Sequence, residues 1–264
     1  MLFSTPAFAQ TAESYRRQAI ELSRQKSWDE AIVLYRKALE LAPNDPDTHY
    51  NLALTLKYKG DARPAVEEFE TALRLKPNWS DARYGLGATY YDLHDQQAAL
   101  KELHTAVKLN PANAPAHRLL ARIYVEQSDF LAGEAELRRA LAIKPSAELH
   151  FELGLAEGQL GNLDAAAAQF RSAIRMNPAY APAHSLLGIT ERRQGDHNSA
   201  LDEFRKAAEL DPKDPETQYN LGMELKAGED LVGAIAALRR AIELKPDLEK
   251  ARYNLSIALR AQGQ

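Results

Sequence analysis

Four histidines and two glutamates are the side chains of this 264-residue chain whose spacing first suggests chemistry. His49, His117, His150 and His184 fall at the same phase of an internal period, as imidazoles around a metal would have to be assembled if the chain folded back on itself. Glu157 and Glu191 stand one period apart and have the composition of an acid/base pair. Distance argues against the metal. Equivalent places in neighbouring helical copies are separated by roughly 8–10 Å, whereas zinc requires each imidazole nitrogen at about 2.0–2.1 Å. The histidines are therefore read as packing residues. The two glutamates are read as lying at the edge of a groove, partly solvated and neutralised by Arg192 or Arg193. The chain has no cysteine, so thiolate chemistry and disulfides are excluded, and it contains no phosphate-cradling glycine loop, no HExxH and no nucleophile elbow. No catalytic residue, metal or cofactor is expected.

The elements that position these side chains are clearest between Pro46 and Trp79. Leu52, Leu56, Phe69 and Leu73 recur at helical spacing and form two apolar stripes, which imply two amphipathic helices. Gly60 can take positive φ and end the first, Asp61 can cap the second, and Pro64 fits within its first turn. Pro77 stops the unit. The closing prolines recur as Pro43, Pro77, Pro111, Pro145, Pro178, Pro212 and Pro246, always 34 residues apart except for one interval of 33.

Two columns of small residues run through the copies, one of Ala38, Ala72, Ala106, Ala140, Ala173, Ala207 and Ala241, the other of Ala31, Ala65, Ala99, Gly133, Ala166, Ala200 and Ala234. They let helix axes approach closely. Ser27, Asp61, Asp95, Asp129, Asn162, Asp196 and Asp230 all stand where an N-cap is needed. This pattern, with Leu-Gly/Ala, an apolar or aromatic residue three further on, Ala-x3-Phe/Tyr and a terminal Pro, resembles the tetratricopeptide repeat. The resemblance implies an all-α, right-handed superhelical solenoid. Seven copies span about 12–45, 46–79, 80–113, 114–146, 147–180, 181–214 and 215–248, followed by a final helix over 249–262, all in one solenoid domain over 12–264. The first copy carries Gln18 in place of leucine and polar Arg16, Arg17 and Arg24, as expected of a cap.

Charged residues make up 27% of the chain with a net charge of −4 and no basic run, which argues against a nucleic-acid partner, and no apolar stretch approaches the ~20 residues of a membrane span. Residues 1–11 stand outside the repeat. Ala7-Phe8-Ala9 before Gln10 has the small-x-small form of a signal-peptidase site but lacks a basic start and an apolar core, so the segment reads either as the tail of an export signal, slightly favouring an exported protein, or as a terminus without structure.

Function is sought on the inner face of the first helices, which the resemblance implies line a concave groove. Counted from the start of each copy, the fifth place holds Arg16, Tyr50, Tyr84, Arg118, Phe151, Ser185, Tyr219 and Tyr253, mostly rings that suit an extended peptide. Asn51, Asn220 and Asn254 follow, resembling groove asparagines in the repeat region of the O-linked N-acetylglucosamine transferases, although Gly85, Leu119, Glu152 and Leu186 interrupt the row. Lys57, Tyr91, Arg192, Lys226 and Arg260, with Arg122, form a cationic edge that favours an acidic ligand. The competing reading is that the rings pack between repeats. The basic clamp by which some relatives hold a chaperone carboxylate is not expected, because Asp81 and Gly85 replace its third-repeat cations. The expected function is a non-catalytic scaffold for a protein or peptide ligand. The alternatives are the recognition region of an enzyme such as a glycosyltransferase, or self-association through the last helix.

Overall fold

The computed structural model describes residues 11–263, so the Ala7–Ala9 motif lies outside the described residues. Those residues form helices and no strand, and they divide into two compact units, one ending at Glu126 and one beginning at Gln127. The first contains α1 (Ala12–Arg24), α2 (Trp28–Leu41), α3 (Pro46–Lys59), α4 (Ala62–Leu75), α5 (Ser80–Asp92), α6 (Gln96–Leu109) and α7 (Ala114–Glu126). The second contains α8 (Phe130–Ile143), α9 (Ala147–Gln159), α10 (Leu163–Met176), α11 (Ala181–Gln194), α12 (His197–Leu210), α13 (Pro215–Ala227), α14 (Leu231–Leu244) and α15 (Glu249–Ala261). Odd-numbered helices are the first, or A, helix of each repeat. Among the described residues, no helix is long and apolar enough to cross a membrane.

Inside each unit an A helix packs on the B helix that follows it, and that B helix packs on the next A helix. Every residue of the two small columns is buried. A second complementarity joins places eight and twenty-four. Gly154 and Gly188 face Phe170 and Phe204 so closely that an added Cβ would lie 2.6 and 3.0 Å from the ring, and Gly87 and Gly222 leave the same room for Leu103 and Leu238. Where the eighth place is Ala53, Phe69 is fully buried against Gly85 of the next repeat instead, where an added Cβ would lie 2.6 Å from the ring. Burying each such phenylalanine contributes about 1.5–3 kcal/mol, so the glycine admits a stabilising side chain that an alanine would displace.

All turns between A and B helices place their fifteenth residue in the left-handed region: Gly60, Gly161 and Gly195, but also Lys26, His94, Ser128 and Glu229 at φ between 61° and 64°. Asp95, Asp129, Asp196 and Asp230 then accept a hydrogen bond from the amide three residues on, as expected of caps. Ser27, Asp61 and Asn162 do not cap with their side chains, which corrects the expectation of seven uniform caps. Asp61 instead pairs with Lys59, and Asn162 donates to Glu157.

Arg16 also departs from its expected role on the polar outer end. Its guanidinium reaches Asp45, the residue that caps α3, at 2.7 Å and so ties α1 to the start of the next A helix.

Candidate functional site

Two polar columns decide what the A helices leave available, and both were missed in the sequence. Place four of a repeat meets place twenty-three of the same repeat: His49 bonds Glu68 at 2.6 Å, Arg83 bonds Glu102 at 2.6 Å, His150 bonds Gln169 at 2.7 Å and His184 bonds Glu203 at 2.6 Å. The other ring nitrogen of His49, His117 and His184 faces the carbonyl oxygen of Pro43, Pro111 or Pro178. His49 and His184 thus tie the start of their A helices both to the B helix and to the preceding proline turn. A constant 19-residue interval between the partners was the available signal.

The second column links repeats. Place twenty-five of one repeat meets place eleven of the next, as Glu70 with Tyr90, His104 with Tyr124, Arg138 with Glu157 and Arg171 with Glu191. This overturns the expectation that Glu157 and Glu191 are solvated at a groove edge beside Arg192 or Arg193. They are 1% and 3% exposed, and their partners stand on the B helix of the preceding repeat. Reading along one A helix missed this because the partner lies about twenty residues earlier and across an interface.

The first unit gathers five of the candidate groove residues. Tyr84 on α5 is half-buried, and burial pushes its hydroxyl up, opposed by the nearby charges of Lys57 on α3 and of Arg118 and Arg122 on α7. Tyr91, about two turns further along α5, donates to Glu126, which with burial raises its hydroxyl against a hydrogen bond from Arg122. Lys57 reaches Asp92 at 2.9 Å. Arg122 is exposed. Tyr50 packs among other rings: its centroid is 4.5 Å from Trp79 and 5.9 Å from Phe69, and burial, then Asp81, pushes its hydroxyl up to about 12. Asn51 spends its amide on the carbonyl oxygen of Asp47.

In the second unit, side chains lock neighbouring A helices together. Arg192 donates twice to Asn220 Oδ1 at 3.2 Å and lies 3.6 Å from Glu224, while Lys226 donates to Asn254 Oδ1 at 2.7 Å. Asn220 is buried, and the amide of Asn254 bonds the carbonyl oxygen of Lys250. Phe151 packs between Phe170 and Tyr180, and Tyr219 is half-buried under Lys250, whose ammonium lies 4.6 Å from its ring centroid. Tyr253 is 68% exposed on α15, where Arg260 is exposed as well. Among the described residues no group of three or more His, Cys, Asp or Glu is placed to hold a metal ion.

Tetratricopeptide repeat models match residues 89–148 and 151–215, and another matches 46–78 and 215–248; a TPR repeat model matches 21–60. No curated protein matches the chain. Among solved structures, the C-terminal part of a TPR repeat-containing protein from Cytophaga hutchinsonii is similar, with a TM-score of 0.75 and 18% identity over 90% of this chain and 98% of that one. YrrB, described as a TPR protein with an unusual peptide-binding site, has a TM-score of 0.65 and 21% identity, covering 72% of this chain and 98% of its own. A thermophilic TPR protein of Thermus thermophilus has a TM-score of 0.52 and 26% identity over 68% and 98%.

Proposed function

This chain belongs to the tetratricopeptide repeat family, whose repeats serve as protein-interaction scaffolds, and on that premise we propose that it is a non-catalytic scaffold whose first unit binds an acidic protein segment along α3, α5 and α7. The observation that carries the reading is that three cations on the two flanking A helices, Lys57 on α3 and Arg118 and Arg122 on α7, lie near enough for their charges to act on the half-buried Tyr84 hydroxyl of α5. A ring held by its surroundings offers contact area at little entropic cost, and cations on both sides add charge-assisted hydrogen bonds to a carboxylate. Such a cluster contributes to selecting the partner and to its rate of arrival as much as to affinity. That YrrB carries a peptide-binding site on the same fold is consistent with this use of the repeats.

The test is selection of a random decapeptide library on the purified chain, followed by titration of the enriched peptides. Enrichment in Asp and Glu is expected, with Arg122→Glu weakening capture by about tenfold or more through charge reversal while leaving the unfolding midpoint unchanged, since Arg122 is exposed. Tyr84→Ala should weaken capture as well. Peptides without acidic bias that bind Arg122→Glu as well as the parent would overturn the assignment.

A further inference from the structure

Places five, twenty-four and thirty-four of a repeat form a stack of rings on the A-helix side. In the second repeat these are Tyr50, Phe69 and Trp79, and in the fifth they are Phe151, Phe170 and Tyr180, with the fifth-place ring 5.9 Å from the phenylalanine in both. The sixth repeat keeps Phe204 but holds Ser185 and Asp214 at the other two places. At this point the second unit has a hollow of about 220 Å³ between α11 and α13. Pro182 and Leu186 give it an apolar wall, Ser185 and Thr217 line it with hydroxyls, and Asp211 and Asp214 supply two carboxylates.

The carboxylates are fixed before any ligand arrives. Asp214 caps α13, accepting from the amides of Glu216 at 3.2 Å and Thr217 at 3.0 Å and from the Thr217 hydroxyl at 2.5 Å. Asp211 accepts from the amide of Lys213 at 3.1 Å, and Thr217 Oγ1 lies 3.2 Å from Ser185 Oγ. Each ionised carboxylate has about four acceptor sites, so these contacts orient the two groups without exhausting them.

We infer that this hollow receives an arginine side chain of a peptide lying on the A helices of the second unit, an inference that rests on the reading of the A-helix face as a peptide-binding face and extends it to that unit. A guanidinium is flat and weakly hydrated, so it can lie against the apolar wall while its fork of donors meets Asp211 and Asp214. A phenyl ring would fill the same space but would strip water from the carboxylates without pairing them. Lysine would reach them as a more strongly hydrated point charge. Of the two arginines on the same helix, Arg192 and Arg193, the first is seven residues on, about 10 Å along the axis, and is already held by Glu224 and Asn220.

The experiment uses the full chain, isotopically labelled, titrated with N-acetyl-arginine methylamide and with its neutral citrulline isostere while backbone amide resonances are followed. The arginine compound should shift Ser185, Leu186 and Thr217, and the citrulline compound should leave them in place. Ser185→Tyr, which restores the ring, should reduce the response by about tenfold or more, and Asp211→Asn should weaken binding several-fold with an unchanged unfolding midpoint. Equal shifts with citrulline, or full binding by both variants, would sink the inference. Library peptides that enrich without arginine and bind Ser185→Tyr normally would remove it while leaving the peptide-binding reading intact. Arginine-specific shifts at Ser185 with no enriched peptide would do the reverse, keeping the hollow as a guanidinium site and removing the peptide from it.

Discussion

The fifth and sixth repeats are almost the same hairpin inside and differ on the side they show to a partner. Both set a glycine against a phenylalanine, Gly154 with Phe170 and Gly188 with Phe204, and both bury a glutamate paired to an arginine of the repeat before. The fifth closes its A-helix side with Phe151 and Tyr180, where the sixth has Ser185 and Asp214 beside an open hollow. The stacking of repeats is thus carried by one set of places and the shape of the A-helix side by another, so that a face can be altered without dismantling the hairpin beneath it.

A second difference lies in how the buried glutamates are satisfied. Glu157 accepts from Arg138 at 2.5 Å with one oxygen and from Asn162 at 2.9 Å with the other. Glu191 accepts from Arg171 at 2.7 Å, and its Oε2 is buried without a hydrogen-bond partner. The residue equivalent to Asn162 is Asp196, a carboxylate that takes the amide of Ser199 and has no hydrogen to offer Glu191.

The largest effect should come from breaking the ion pairs. Arg171→Ala is expected to cost about 3 kcal/mol, the lower end for a buried charge left without its partner, and Arg138→Ala clearly less, because Asn162 still serves Glu157. Urea unfolding of the two variants measures the gap, and equal losses would mean that Asn162 contributes nothing.

Adding a methyl group tests the interior that the two repeats share. Gly154→Ala and Gly188→Ala should each destabilise by about 1–3 kcal/mol through overpacking, with the greater loss at Gly154, where the added carbon would stand 2.6 Å from Phe170 rather than 3.0 Å from Phe204. Thermal melts showing no loss at either position would refute the packing described for places eight and twenty-four.

Asp196→Asn should make the sixth repeat resemble the fifth, exchanging the cap on Ser199 for a hydrogen bond to the buried Glu191, so the net stabilisation should stay below about 1 kcal/mol. The same site predicts a smaller dependence on pH. Burial pushes the Glu191 carboxyl up from 4.5, only partly offset by Arg171. A carboxyl raised in the folded state stabilises fully below its unfolded value, and that contribution is lost as pH rises through the folded value. Compared with Glu191→Gln, the parent chain should therefore lose relative stability as pH rises from the carboxyl's ordinary value of 4.5 through the raised folded value, and a difference independent of pH in chemical denaturation would contradict this.

Periodicity alone was enough to locate the helices. Alanine at places twenty and twenty-seven, the turn residues and the closing prolines marked where each A helix starts, from Ala12 to Glu249, because these requirements are local to one hairpin and repeat with it. The candidate site was legible only as a set of columns. The sequence placed Tyr84, Lys57, Arg118 and Arg122 on A helices, but their convergence depends on how successive A helices lie side by side. It assigned Glu157 and Glu191 to solvent because the arginines adjacent in sequence, Arg192 and Arg193, looked like their partners. Packing chose Arg138 and Arg171 instead, since place eleven of an A helix faces the previous B helix and is cut off from water there. The chain's own order of residues thus determines each hairpin, through hydrogen bonds and apolar stripes closed over a few turns of helix. Which polar groups are buried, paired or left open to a partner is decided by contacts between hairpins, where burial makes an unpaired charge costly and so selects its neighbour.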